Sequence, residues 1–119
     1  MDPRIVRSTP ASEIFTPERC FIVEIWNDNA DPSVSIARSR VAPGVTTQLH
    51  SLDVDERYLM FSGMGEMQVG DLATSVGAGD VVVIPKGTPQ RITNTGEEDL
   101  VFYCVCCPRF EPQSYQALE

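Results

Sequence analysis

The chain reads as a single all-β domain, an antiparallel barrel with an interior site. Two observations point there. Short apolar strands recur at roughly 8–12-residue intervals between glycine and proline turns, the pattern of a sandwich or barrel. No stretch before residue 110 sustains a helical period. A length of 119 residues is one domain's worth of chain. That length buries roughly two thirds of the unfolded surface, so the core needs no metal or disulfide to hold it together.

Taken in order, residues 1–18 are a polar N-terminal arm carrying Pro3, Pro10 and Pro17, with room for one short edge strand. The barrel is expected over 19–110, followed by a tail at 111–119. Phe21, Val23 and Ile25 alternate with Ile22, Glu24 and Trp26 along the first long strand. Asn27 to Pro32 is a turn cluster, and Val34 to Val41 is the next strand. Pro43-Gly44 ends it. Period two then places Thr46, Gln48, His50 and Leu52 on one face. After the acidic loop Asp53–Asp55, Glu56, Tyr58 and Met60 share a face. Gly63-Met64-Gly65 permits a hairpin, with return strands at Glu66–Val69 and Leu72–Val76. The apolar run Val81–Ile84 reads as a strand buried on both faces. Gln90–Thr93 and Leu100–Cys107 complete the set, joined by a turn that Asn94 serves through its side chain. In the tail, Pro112 suits the first residue of a short terminal helix.

Charge narrows the partners. Seventeen acidic and nine basic residues give a net charge of −8. Such a chain lacks the basic face that sequence-independent nucleic-acid binding requires. No apolar run approaches the roughly 20 residues of a membrane-spanning helix, and the N-terminus has no apolar core of a secretory signal. The four cysteines are Cys20, Cys104, Cys106 and Cys107. Neighbours on one strand alternate faces and cannot easily reach disulfide geometry, so reduced thiols and a cytoplasmic location are expected.

Two glycine-started blocks carry the chemistry. The first, from Gly44 to Gly63, has the spacing G-x5-H-x-L-x3-E-x6-G. The second, from Gly79 to Asn94, has the spacing G-x5-P-x-G-x2-Q-x3-N. Together they resemble the cupin family, whose blocks read G-x5-H-x-H-x3/4-E-x6-G and G-x5-P-x-G-x2-H-x3-N. The resemblance covers the central half of the chain and implies a cupin jelly roll, a small β-barrel with an interior site. The family includes metal-dependent dioxygenases, isomerases, sugar-binding domains and metal-free proteins.

In its metal-binding members three histidines and a glutamate hold the ion. Carried over position by position, His50 and Glu56 match, while Leu52 and Gln90 stand where histidines would be. His50 is the one histidine of the chain, so a two-histidine, one-carboxylate triad cannot form within a subunit. Two readings follow. His50, Glu56 and Gln90 could hold a divalent ion such as zinc, nickel, iron or manganese weakly, with water in the open positions. Without a metal, His50 is expected to bond Glu56 or Gln90 inside a polar pocket for a small organic molecule, because buried polar groups need partners. Gln48 and Tyr58 are then further pocket candidates. Cys104 and Cys106 share a face of the last strand and are either core residues or soft ligands. The function classes left open are a binding domain without turnover and a metal-dependent dioxygenase, isomerase or lyase. A homodimer is expected, since the resemblance implies one and a small barrel has edges to cover.

Overall fold

The structure is a computed structural model that describes residues 1–119. Its strands are β1 (Ile14–Phe15), β2 (Phe21–Trp26), β3 (Ser35–Val41), β4 (His50–Leu52), β5 (Asp55–Ser62) and β6 (Met64–Val69). They continue with β7 (Leu72–Gly77), β8 (Val81–Ile84), β9 (Gln90–Asn94), β10 (Leu100–Cys107) and β11 (Tyr115–Ala117). Helical structure is confined to 3-10 turns at Pro10–Ser12 and Pro112–Ser114. No helix is long and apolar enough to cross a membrane.

The strands form two antiparallel sheets, one of six in the order β1-β2-β3-β10-β5-β8 and one of five in the order β11-β4-β9-β6-β7. Strands distant in sequence lie side by side in both, and the two sheets face each other as a jelly roll. Alternation along each strand sends one set of side chains between the sheets. In β5, Glu56, Tyr58 and Met60 point inward, and in β9 Gln90, Ile92 and Asn94 do so. Met60, Met67, Ile92, Leu100 and Phe102 centre the main core. A smaller cluster of Leu52, Val54 and Cys106 packs with Phe110 and Tyr115.

Turn chemistry fixes the hairpins. Gly63 sits at φ 85°, and a Cβ there would meet the Asp99 carbonyl oxygen at 2.7 Å. Only glycine satisfies both constraints. Asn94 accepts from the Gly96 N–H at 2.9 Å and donates to the Val41 carbonyl at 2.8 Å, holding the turn before β10.

The chain departs from the sequence expectation at three places. Val81 and Val83 point outward and are 58% and 61% exposed, so β8 is buried on one face only. It is an edge strand, and no helix covers the outside of its sheet. After one 3-10 turn the tail becomes a strand, β11, paired with β4. Residues 47–49 leave regular pairing, with an isolated bridge at Thr46, so the inward phase slips. Thr47 is therefore buried beside His50, and Gln48 turns away.

Candidate functional site

The site is built where the two sheets face each other. His50 on β4 is the cross-strand partner of Gln90 on β9, both in the five-stranded sheet. Opposite them, β5 supplies Glu56 and Tyr58, registered against Cys106 and Cys104 of β10. Hydrogen bonds cross the gap. The Tyr58 hydroxyl donates to Gln90 Oε1 at 2.5 Å, and Gln90 Nε2 donates to Glu56 Oε1 at 2.8 Å. The orientation of the amide follows from its neighbours, since a carboxylate oxygen accepts and a tyrosine hydroxyl can donate. Cys106 Sγ approaches the second Glu56 oxygen at 3.8 Å. Every fully buried side-chain nitrogen and oxygen in the chain has a partner.

All of these groups but Gln90, which lies behind Tyr58 and Glu56, border a cavity of about 510 Å³, a size that takes a small organic molecule. Its walls include His50, Leu52, Glu56, Tyr58, Phe102, Cys104 and Cys106 from the strands. The N-terminal arm adds Ile14, Thr16 and Glu18, and the C-terminal segment adds Phe110 and Tyr115. Twelve of the 22 lining residues are hydrophobic, so the space is an apolar chamber with a few polar groups. Glutamates are its only charged side chains: Glu18 and Glu56 within, Glu24 at the rim. No lysine or arginine lines it.

Burial decides the protonation states. Desolvation raises Glu56 to about 7, against the lowering effect of its bond from Gln90. Glu18 also rises to about 7, first through desolvation and then through the charge of Glu56. His50 is pushed below its ordinary value by burial, so its neutral form dominates. Its Nδ1 lies 2.7 Å from the Gln48 carbonyl oxygen. A carbonyl only accepts, so Nδ1 carries the proton and Nε2 keeps its lone pair. Burial also drives the Cys104 and Cys106 thiols well above their ordinary range, and Cys20 up to about 12. All four cysteines are free, and these three stay protonated at neutral pH.

Of the positions expected from sequence, His50, Glu56, Tyr58 and Gln90 come together between the sheets. Gln48 does not join them. Its side chain faces the tail, where its Oε1 accepts from the Tyr115 hydroxyl at 2.6 Å, and only its backbone carbonyl reaches His50. The expected bond from His50 to Glu56 or Gln90 is replaced by that carbonyl and by stacking on Tyr115, with ring centroids 4.7 Å apart. Cys104 and Cys106 both face the cavity. Glu18, Thr47 and Tyr115 were not anticipated. Glu18 lies in an arm with no periodicity, and Tyr115 is a lone aromatic in a polar tail.

The residues present do not fit a transition-metal centre. Leu52 is a hydrocarbon packed against Phe110 and Tyr115. Gln90 offers only a neutral amide oxygen, a weak ligand for a transition metal, and one of its two lone pairs accepts from Tyr58. The Cys104 and Cys106 thiols would each have to give up a proton to ligate, against the burial that raises them. No three His, Cys, Asp or Glu side chains are arranged to hold an ion.

Comparison with known proteins agrees with the fold. The uncharacterized protein MJ1618 of Methanocaldococcus jannaschii is 30% identical over 107 residues, which is 87% of this chain and 86% of that one. A predicted oxalate decarboxylase from Thermotoga maritima superposes with a TM-score of 0.79 at 24% identity, over 88% of this chain and 99% of the other. Oxalate decarboxylase from Bacillus subtilis superposes with a TM-score of 0.82 at 20% identity, over 99% of this chain but 33% of that longer one. Likeness at this identity speaks for the fold alone. The sequence profile described as Cupin domain matches residues 37–106, more than half of the chain and both glycine-started blocks. The chain belongs to the cupin domain family.

Proposed function

We propose that this cupin binds a small organic molecule in the chamber between its sheets, as a binding domain that works without a transition metal. One observation carries the reading. Tyr58, Gln90 and Glu56 are linked by hydrogen bonds across the interior, where a cupin metal site would have a histidine in place of Gln90, and about 510 Å³ of largely apolar space lies beside them. The network costs little to keep, because each buried polar atom has its partner. It also presets the chamber, since a ligand finds Glu56 and Tyr58 already oriented.

The alternative, a metal-dependent dioxygenase, isomerase or lyase built on His50, Glu56 and Gln90, rests on one imidazole, one carboxylate and one neutral amide, a weak set for a transition metal. Elemental analysis of the purified protein separates the two. The expected result is no first-row metal in stoichiometric amount, together with a thermal shift on adding small apolar molecules, since a ligand of the folded state raises its melting temperature. A metal content near one per chain overturns the reading.

A further inference from the structure

We infer that the chamber is specific for an apolar primary amine, bound as its ammonium, and that Glu18 of the N-terminal arm is the residue that selects it. This rests on the proposed binding function and adds the chemical class of the ligand.

Once its carboxyls ionise above about pH 7, the strong unpaired groups of the chamber are acceptors, and its donors are hydroxyls and weak thiols. His50 Nε2 keeps its lone pair because Nδ1 is committed to the Gln48 carbonyl. Glu56 spends one oxygen on Gln90 and leaves the other with only a thiol at 3.8 Å. Glu18 has a single side-chain contact, the Cys20 thiol at 4.0 Å. Tyr58 spends its donor on Gln90, and Gln90 donates to Glu56 rather than into the chamber, which it does not line. A ligand that answers this set must bring several N–H groups and a positive charge. An ammonium brings three donors on a compact cation.

Charge excludes the opposite class. With no lysine or arginine in the walls, an organic anion would find no counter-ion, and above about pH 7 the two carboxyls would meet it with like charge. The remaining walls suit a cation with an apolar body. Tyr58, Phe102, Phe110 and Tyr115 all border the space, and aromatic faces attract ammonium groups most strongly where water is excluded.

Glu18 is held on purpose-built backbone. The turn containing it closes through Arg19 N–H to the Thr16 carbonyl at 3.0 Å, with Arg19 in the left-handed region at φ 71°. The Glu18 carbonyl accepts from Gln48 N–H at 3.0 Å, tying the arm to the strand that carries His50. Arg19 reaches Glu119 at 2.7 Å, so the arm and the tail close over the same mouth. Both carboxyls line the same space, and the charge of Glu56 adds to the burial that raises Glu18.

The test uses the full chain and three molecules of one shape: benzylamine, benzyl alcohol and benzoate, with affinities from calorimetric titration. Benzylamine is expected to bind at least about tenfold more tightly than benzyl alcohol, about 1.4 kcal/mol, with benzoate weakest. Glu18→Gln, nearly identical in shape, is expected to cut the amine-to-alcohol ratio by about tenfold, and Glu24→Gln at the rim by much less. Circular dichroism of each variant confirms the fold. If the alcohol binds and the amine has no advantage, or benzoate binds best, the amine inference falls and the chamber remains a binding site. A ratio unchanged by Glu18→Gln removes Glu18 as the selector. If none of the three binds, the proposed function falls with it.

Discussion

At the scale of single residues, the site is a metal-ligand geometry refilled with other chemistry. Leu52 and His50 line one chamber with Glu56, and Gln90 touches Glu56 directly. Replacing Leu52→His and Gln90→His together therefore supplies imidazoles where the backbone already converges. Without metal the double variant is expected to be less stable, because it loses the Tyr58–Gln90–Glu56 bonds and buries polar rings, at roughly 1–3 kcal/mol for each unpaired group. With zinc or nickel its melting temperature should rise well beyond any shift of the parent. Equal shifts in both would mean that the four positions do not converge. Glu56 gives a second prediction. Burial raises its carboxyl to about 7 in the folded chain from an ordinary value of 4.5, so between the two the folded chain holds the proton while the unfolded chain releases it. Stability from this group is complete below the unfolded value and is lost as pH rises through about 7. Glu18 adds the same sign. His50, lowered from 6.5, acts oppositely, its contribution fading as pH falls below its unfolded value. Urea unfolding at about pH 5 and about pH 8 should show Glu56→Gln gaining roughly 1–3 kcal/mol on the parent at the higher pH relative to the lower. A pH-independent difference would show that Glu56 is not a desolvated carboxyl.

At the scale of elements, the termini complete what the blocks begin. Arg40 of β3 binds Glu13 of the arm at 2.6 Å and Asp99 at 3.0 Å, and its guanidinium lies 4.0 Å over the Phe21 ring. Glu13 is held below the usual carboxylate range by that Arg40 bond. Glu13→Ala removes the arm's anchor while Arg40 keeps Asp99 and Phe21. Hydrogen exchange over residues 10–20 should quicken by about tenfold, about 1.4 kcal/mol of local opening, with the global melting free energy changed by less than about 1 kcal/mol. Unaltered exchange would show that β1 is held by its ladder to β2 alone. This dependence on the termini also sets what sequence could reveal. Period two put His50 with Leu52 and Glu56 with Tyr58 on common faces, and the resemblance to cupins implied that His50, Glu56 and Gln90 face the interior. Period two failed at Gln48, where the backbone leaves the ladder for three residues and alternation loses its meaning. It also could not find Glu18 or Tyr115. Their positions depend on the arm and the tail meeting through Arg19 and Glu119, a contact between residues 100 apart with no local signature. The outward turn of Val81 and Val83 was hidden for a similar reason, since a run of four apolar residues does not say which side of its sheet is covered.

At the scale of the whole molecule, those outward valines leave an apolar face. Cross-strand registers align Tyr103, Leu59 and Val81 in one row, and Val105, Arg57 and Val83 in the next. Phe61 lies edge-on to Tyr103 at 5.8 Å. Leu59, Phe61, Val81 and Val83 are 44%, 63%, 58% and 61% exposed. We propose that a second copy of the chain covers this face in a symmetric homodimer. A symmetric contact sets the same patch on both partners, which suits a patch that is apolar and self-complementary. Two chains of charge −8 repel each other overall, so the favourable contact must be a surface with little negative charge, and these two rows carry only Arg57. The arm offers a second surface, since β1 pairs with β2 on one side and leaves its other edge free. Sedimentation equilibrium at roughly tens of micromolar should give a dimer, the range in which a standard-sized interface holds. Phe61→Glu with Val83→Glu places two like charges on each side of the contact and should give a folded monomer, with the chamber's ligand affinity unchanged. A monomeric parent would end the proposal. A double variant that still dimerises would move the interface elsewhere, and the free edge of β1, with Ile14 and Phe15 exposed, would be the next surface to mutate.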